Sequence, residues 1–174
     1  MSPNLNLPKT ISLIGMPGAG KSTVGVLLAK MSGLAFRDTD LDIQVHAQAT
    51  LQEILDREGY WTLRRLEQEI LLQIPLHHSV ISTGGSVVYS DKAMNRLRAA
   101  GPVVFLDVDF DTLEQRVQAT PGRGIASSAE DDFATVFAER VPLYKQWATI
   151  AIDNPAGGSA EQIAGTILEQ VKSL

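Results

Sequence analysis

Gly15-Met16-Pro17-Gly18-Ala19-Gly20-Lys21-Ser22 is the stretch whose reading decides the fold. It satisfies G-x-x-x-x-G-K-[ST] at every fixed position. It also stands between a β-rich run, 10–14, and a helical pattern, 23–31, the strand–loop–helix context the motif needs. Glycines let successive backbone N–H groups turn towards one centre, and the helix start adds partial positive charge there. Lys21 has the reach to meet β- and γ-phosphates, and the Ser22 hydroxyl is a hard oxygen suited to Mg²⁺. Gly18, Ala19, Gly20, Lys21, Ser22 and Thr23 are therefore expected to cradle a nucleoside triphosphate. A glycine turn without a ligand is the plain alternative.

Outward from the loop, further short runs rich in Val and Ile fall at 34–37, 79–83, 103–108 and 149–152, and read as buried strands. Helical patterns lie between them at 51–55, 63–74, 93–100, 112–119 and 133–147, with 163–171 closing the chain. In the 63–74 pattern Leu63, Leu66, Ile70 and Ile74 share a face, and Ile163, Ile167 and Val171 form the last stripe. Strands alternating with helices imply βαβ units and a parallel sheet. The segment 120–132 contains Pro121, Gly122 and Gly124 and has no apolar period. It reads as a functional loop or a solvated connector.

Several charged residues stand where packing alone does not explain them. Asp38 and Asp40 follow the second strand, and strand periodicity points them the same way. At a strand C-terminus beside a phosphate loop, one suits Mg²⁺ and the other an attacking hydroxyl. Capping of the next helix by Asp40 or Asp42 is the alternative, and Asp42 reads as a solvated surface residue. Arg140 shares a stripe with Phe133, Phe137 and Tyr144, so a cation sits on an apolar face and needs an anion, from the protein or from a ligand. Arg64 and Arg65 open the 63–74 helix, where a cation is unfavourable without a nearby anion. Arg123 lies between two glycines in the loop, a placement suited to an arginine offered to a transferring phosphoryl group. Thr83-Gly84-Gly85-Ser86 ends the third strand, and its glycines either admit a ligand close to the backbone or make a simple turn.

Composition limits the partners. The chain has 174 residues, enough for one domain. Without cysteine, thiolate metal sites, disulfides and cysteine nucleophiles are excluded. Fifteen Lys and Arg against 20 Asp and Glu give a net charge of −5, which argues against an extended polyanion such as nucleic acid. No apolar run approaches a membrane span, and Met1-Ser2-Pro3-Asn4 does not open a signal peptide. A cytoplasmic monomer is expected.

The ordered set of motifs resembles the shikimate kinase family from about Lys9 to Leu168. It comprises the phosphate loop, Asp38-Thr39-Asp40, Thr50-Leu51-Gln52-Glu53-Ile54 with Gly59, Arg64 with Glu67, Thr83-Gly84-Gly85, Arg116 with Arg123, and Arg140-Val141-Pro142-Leu143-Tyr144. The resemblance implies a three-layer α/β/α P-loop fold of the nucleoside-monophosphate-kinase kind, with a five-stranded parallel sheet. Residues 1–174 would form a single kinase domain, with a substrate-binding helical region at about 42–74 and a lid at about 120–132. It implies ATP-dependent phosphorylation of shikimate at the 3-hydroxyl, in aromatic amino-acid biosynthesis. Asp38 and Ser22 would serve Mg²⁺. Lys21, Asp40 and Arg123 would be catalytic, Asp40 as base. Arg116 and Arg123 would meet ATP, while Asp40, Arg64, Gly84, Gly85 and Arg140 would bind shikimate. The chain departs from the family's pattern at Tyr60, Leu63, Ser86 and Gly124-Ile125-Ala126. These departures reshape pocket and lid. They leave open a kinase of another small polyhydroxy acid, or a ligand-binding regulator.

Overall fold

A computed structural model describes residues 8–120, 125–128, 131–153 and 158–174. Its strands are β1 Thr10–Ile14, β2 Ala35–Asp38, β3 Ser79–Ser82, β4 Val103–Asp107 and β5 Ile150–Asp153. They form one parallel sheet in the order β2-β3-β1-β4-β5. Every residue of β1 and β3 is buried, so helices cover both faces of the sheet's centre, as a parallel sheet requires. The edges differ from the expectation of uniformly buried strands. β2 is partly exposed along its length, and in β5 only Ile152 is buried. An edge strand has a neighbour on one side only, and at β5 alternation replaces a continuous apolar run.

The helices are α1 Lys21–Ser32, α2 Thr39–Ala47, α3 Leu51–Gln73, α4 Asp91–Ala100, α5 Phe110–Gln118, α6 Phe133–Trp147 and α7 Ala160–Lys172, with a 3₁₀ turn at Val87–Tyr89. α1 packs on α7, whose Ile163, Ile167 and Val171 are buried as their spacing predicts. α2 is absent from the sequence reading, because only Thr39 and Ile43 of it are buried and no apolar stripe announces it. The expected helices 51–55 and 63–74 belong to one run, broken at Gly59, whose φ of 78° lies in the left-handed region. No helix among the described residues is long and apolar enough to cross a membrane.

This order places the phosphate loop at the centre of the sheet. From β1 the chain crosses towards β2 and β3, and after β3 it crosses back to β4. Strand C-termini at such a reversal leave a crevice for ligands. α6 is fastened beside it by Tyr144, whose ring stacks on Phe105 of β4 at 5.2 Å and whose hydroxyl donates to the Gly85 carbonyl at 2.5 Å.

Candidate active site

Gly20 is the N-cap of α1 with φ 89°, and Gly18 has φ 88°. These left-handed conformations suit glycine. Gly20 has no side chain with which to cap, and the first turn contains no acidic residue. The positive end of the helix is therefore left for an anion. Lys21 is buried and donates to the Gly15 and Met16 carbonyls at 2.8 and 2.9 Å, which holds its ammonium against the loop.

Ser22 Oγ donates to Asp38 Oδ2 at 2.5 Å and lies 3.3 Å from Ser82 Oγ. Asp38 Oδ1 accepts from the Asp40 amide at 3.0 Å and so caps α2. This corrects the reading of two carboxylates along one strand. The strand ends at Asp38, Asp40 lies in the first helical turn, and the cap is Asp38 itself. Capping uses one oxygen of Asp38 and leaves the other beside Ser22. Two hard oxygens side by side at the phosphate loop fit Mg²⁺, which takes few protein ligands and completes its shell with phosphate and water. Asp42, expected to be solvated, is half-buried and pairs with Arg37 at 3.1 Å.

A cavity of about 330 Å³ opens from the loop. Lys21, Asp40, Glu67, Gly85, Ser86 and Arg140 are among its lining. Asp40 and Glu67 come together over Gly84. A Cβ on Gly84 would meet both carboxyls, with Asp40 Oδ1 only 3.0 Å away. A side chain here would force these carboxyls to move. Its amide donates to the buried Thr39 hydroxyl at 3.2 Å, tying the loop to α2.

Arg140 is 1% exposed. Among the described residues it has no ion pair, so the expected alternative of a protein carboxylate against it is not met there. Its Nη2 donates to the Ala126 carbonyl at 2.7 Å, and Arg64 Nε donates to the same oxygen at 3.1 Å. Two guanidiniums from α3 and α6 thus converge on one neutral acceptor. Arg65 turns away to Glu69 at 3.2 Å on the surface. After the break at Gly59 the helical segment resumes at Tyr60, so Arg64 and Arg65 lie just past its first turn.

Ala126 is buried, and Ile125 also lines the cavity. This part of 120–132 is packed despite its lack of period. Arg123, with Gly122 and Gly124, lies outside the described residues.

A second cavity, about 460 Å³, adjoins the other side of the loop and shares Gly18, Gly20 and Thr23 with the first. Ala19 lines this second cavity alone. Arg116 borders it and donates to the Gly18 carbonyl at 3.1 Å. The two cavities therefore meet at the phosphate loop.

A family model described as shikimate kinase matches residues 17–172. The chain belongs to the shikimate kinase family. It is 40% identical over 167 residues to the shikimate kinase of Synechococcus sp. strain RCC307, covering 93% of this chain and 84% of that protein. Against shikimate kinase 2 of Enterobacter sp. strain 638 the identity is 33%, covering 95% and 97%. The structure of shikimate kinase from Acinetobacter baumannii in complex with shikimate superposes with a TM-score of 0.87 at 30% identity, covering 96% and 94%. Membership makes the chain a small-molecule kinase that uses ATP.

Glu67 was missed as a lining residue. It is buried in the α3 face, where the sequence reading placed Leu66, which is only half-buried. A glutamate three residues before Ile70 and four after Leu63 was the available signal. Burial, and next the charge of Asp40, push its pKa up from 4.5 to about 7, while the Ser86 hydrogen bond, Arg140 and Lys21 pull the other way. Ser86 Oγ donates to Glu67 Oε2, so the departure at Ser86 contributes a polar group to the cavity wall.

Proposed function

We propose that this member of the shikimate kinase family transfers the γ-phosphoryl group of ATP to the 3-hydroxyl of shikimate. The convergence of Arg64 and Arg140 on the single Ala126 carbonyl carries the reading. One neutral oxygen does not balance two guanidiniums, and the Glu67 carboxylate, whose field reaches Arg140, forms no ion pair with it among the described residues. A carboxylate offers both the charge and the paired oxygens that guanidiniums bind best. The family supplies shikimate as an acceptor with such a group.

In this reading Arg64 and Arg140 hold the carboxylate, and Gly84 and Gly85 let the ring lie close to the backbone. Asp40 receives the proton of the attacking hydroxyl. The hydroxyl oxygen forms a bond to the γ-phosphorus as the bond to the β–γ bridging oxygen breaks, and ADP leaves with the electron pair. Gly18, Ala19, Gly20, Lys21, Ser22, Thr23 and Arg116 bind ATP. Arg123 would act on the transferring group. Ser22 and Asp38 would hold Mg²⁺, which neutralises phosphate charge when bound. The chain is read as a cytoplasmic monomer with residues 42–74 as the acceptor-binding region and 120–132 as a lid.

ATP consumption measured with shikimate, quinate and gluconate tests this. Saturable turnover on shikimate is expected, with little on the other two. Turnover confined to another acid would overturn the substrate, and shikimate binding without turnover would point to a regulator.

A further inference from the structure

Arg64 and Arg140 come from different helices, carry the same charge, and meet at one oxygen. Something must hold them together while the acceptor is absent. Tyr89, the last residue of the 3₁₀ turn after β3, lies against both. Arg64 Cζ is 3.9 Å from the centroid of its ring, closer than to the rings of Tyr60 at 5.1 Å or Trp61 at 5.3 Å. Arg140 Cζ is 5.4 Å from the same centroid, and Arg140 Nε donates to the Tyr89 hydroxyl at 3.4 Å. The Glu139 carboxylate lies near enough to that hydroxyl to act on it electrostatically.

The turn that holds Tyr89 is itself well fixed. Val87 and Val88 are buried, and the Tyr89 amide donates to the Ser86 carbonyl at 3.1 Å. The next residue, Ser90, caps α4 and donates to Gln68 of α3 at 2.7 Å. The turn contacts both α3 and α6. An electron-rich ring face against a guanidinium is attractive and offsets part of the repulsion between the two cations.

We propose that Tyr89 is the positioning residue that holds Arg64 and Arg140 as a single receptor for the acceptor's carboxylate. The proposal rests on the clamp reading above and adds a residue that never touches the reacting atoms.

Steady-state kinetics of the full chain with shikimate and ATP varied separately test it. Tyr89→Leu is expected to raise the shikimate KM about tenfold, the scale of a well-formed cation–π contact, with the ATP KM within about twofold of wild type. Tyr89→Phe keeps the ring and loses the hydroxyl, so its shikimate KM is expected between the two. Because Tyr89 acts through the paired arginines, Tyr89→Leu placed on Arg64→Ala should add only what it exerts through Arg140, less than about threefold, whereas independent damage to the fold would add in full. A shikimate KM for Tyr89→Leu within twofold of wild type overturns the proposal. So does a full tenfold effect recurring in the Arg64→Ala background, or a Tyr89→Phe value equal to wild type. If Arg64→Ala itself leaves the shikimate KM unchanged, the clamp fails and the proposal falls with it. An effect of Arg64→Ala without one of Tyr89→Leu removes Tyr89 alone.

Discussion

Glu67 shows how one residue in the site answers to both stability and chemistry. It is buried beside Asp40, and its pKa rises from 4.5 to about 7 because the charged form is desolvated and repelled. The folded state then holds the proton more tightly than the unfolded chain. Stability contributed in this way is fully present below pH 4.5 and is lost as pH rises to about 7. Glu67→Gln removes the ionisation and keeps the shape. Relative to wild type, its melting temperature is expected to rise between pH 5 and pH 8 by about 5 °C. Thermal melts at both pH values check this, and parallel pH dependences would contradict it. Lys21 is legible at the same scale, because the loop motif names it. Glu67 is legible only as a member of the motif set beside Arg64; its burial in the cavity wall is not, because a carboxylate on an apolar face carries no periodic signal.

At the scale of elements, α2 joins folding to the site through its cap. Asp38 uses one oxygen on the Asp40 amide and the other on Ser22. The two functions can be separated. Asn caps a helix about as well as Asp, whereas Ala at an N-cap costs about 1 kcal/mol. Asp38→Asn is therefore expected to keep wild-type stability in urea melts and lose activity at least about tenfold, because the carboxylate charge is gone. Asp38→Ala should lose both. Full activity in the Asn variant would show that the carboxylate serves only the helix. α2 escaped the sequence reading for a physical reason. Leu41 and Val45 are 59% and 79% exposed, so its apolar residues do not mark its buried side. α3 was legible in its two halves, since Leu63 and Ile70 mark a true core face. The break between the halves is real, since Gly59 has non-helical backbone angles.

For the whole molecule, the site is assembled from segments far apart in the chain: the loop after β1, the start of α2, α3, the loop after β3, the segment at 125–128, and α6. The proposal of one domain makes a direct prediction. Trp61 lies in α3 and Trp147 in α6, one inside the 42–74 region proposed to bind the acceptor and one outside it. Urea unfolding followed through each tryptophan, with the other replaced by Phe, is expected to coincide with the loss of helical circular dichroism. An earlier transition at Trp61 would make the 42–74 region a separate folding unit. The net charge of −5 also takes its meaning here. It speaks against long polyanions and says nothing against small ones: Lys21 and Arg140 line the crevice, and Arg64 meets Arg140 at the Ala126 carbonyl.

The sequence by itself determined the phosphate loop, the alternation of strands and helices, the apolar stripes of α3 and α7, and the set of charges set aside for chemistry. Each is local, written in a spacing or a side-chain type that one turn or one strand enforces. Tertiary structure alone decided which charges meet. That Arg64 and Arg140 share the Ala126 carbonyl, that Tyr89 lies against both, and that Asp40 and Glu67 crowd Gly84 all depend on contacts between residues distant in the chain. Such contacts are set by how the helices pack against the sheet, and no period or motif in a single segment encodes them.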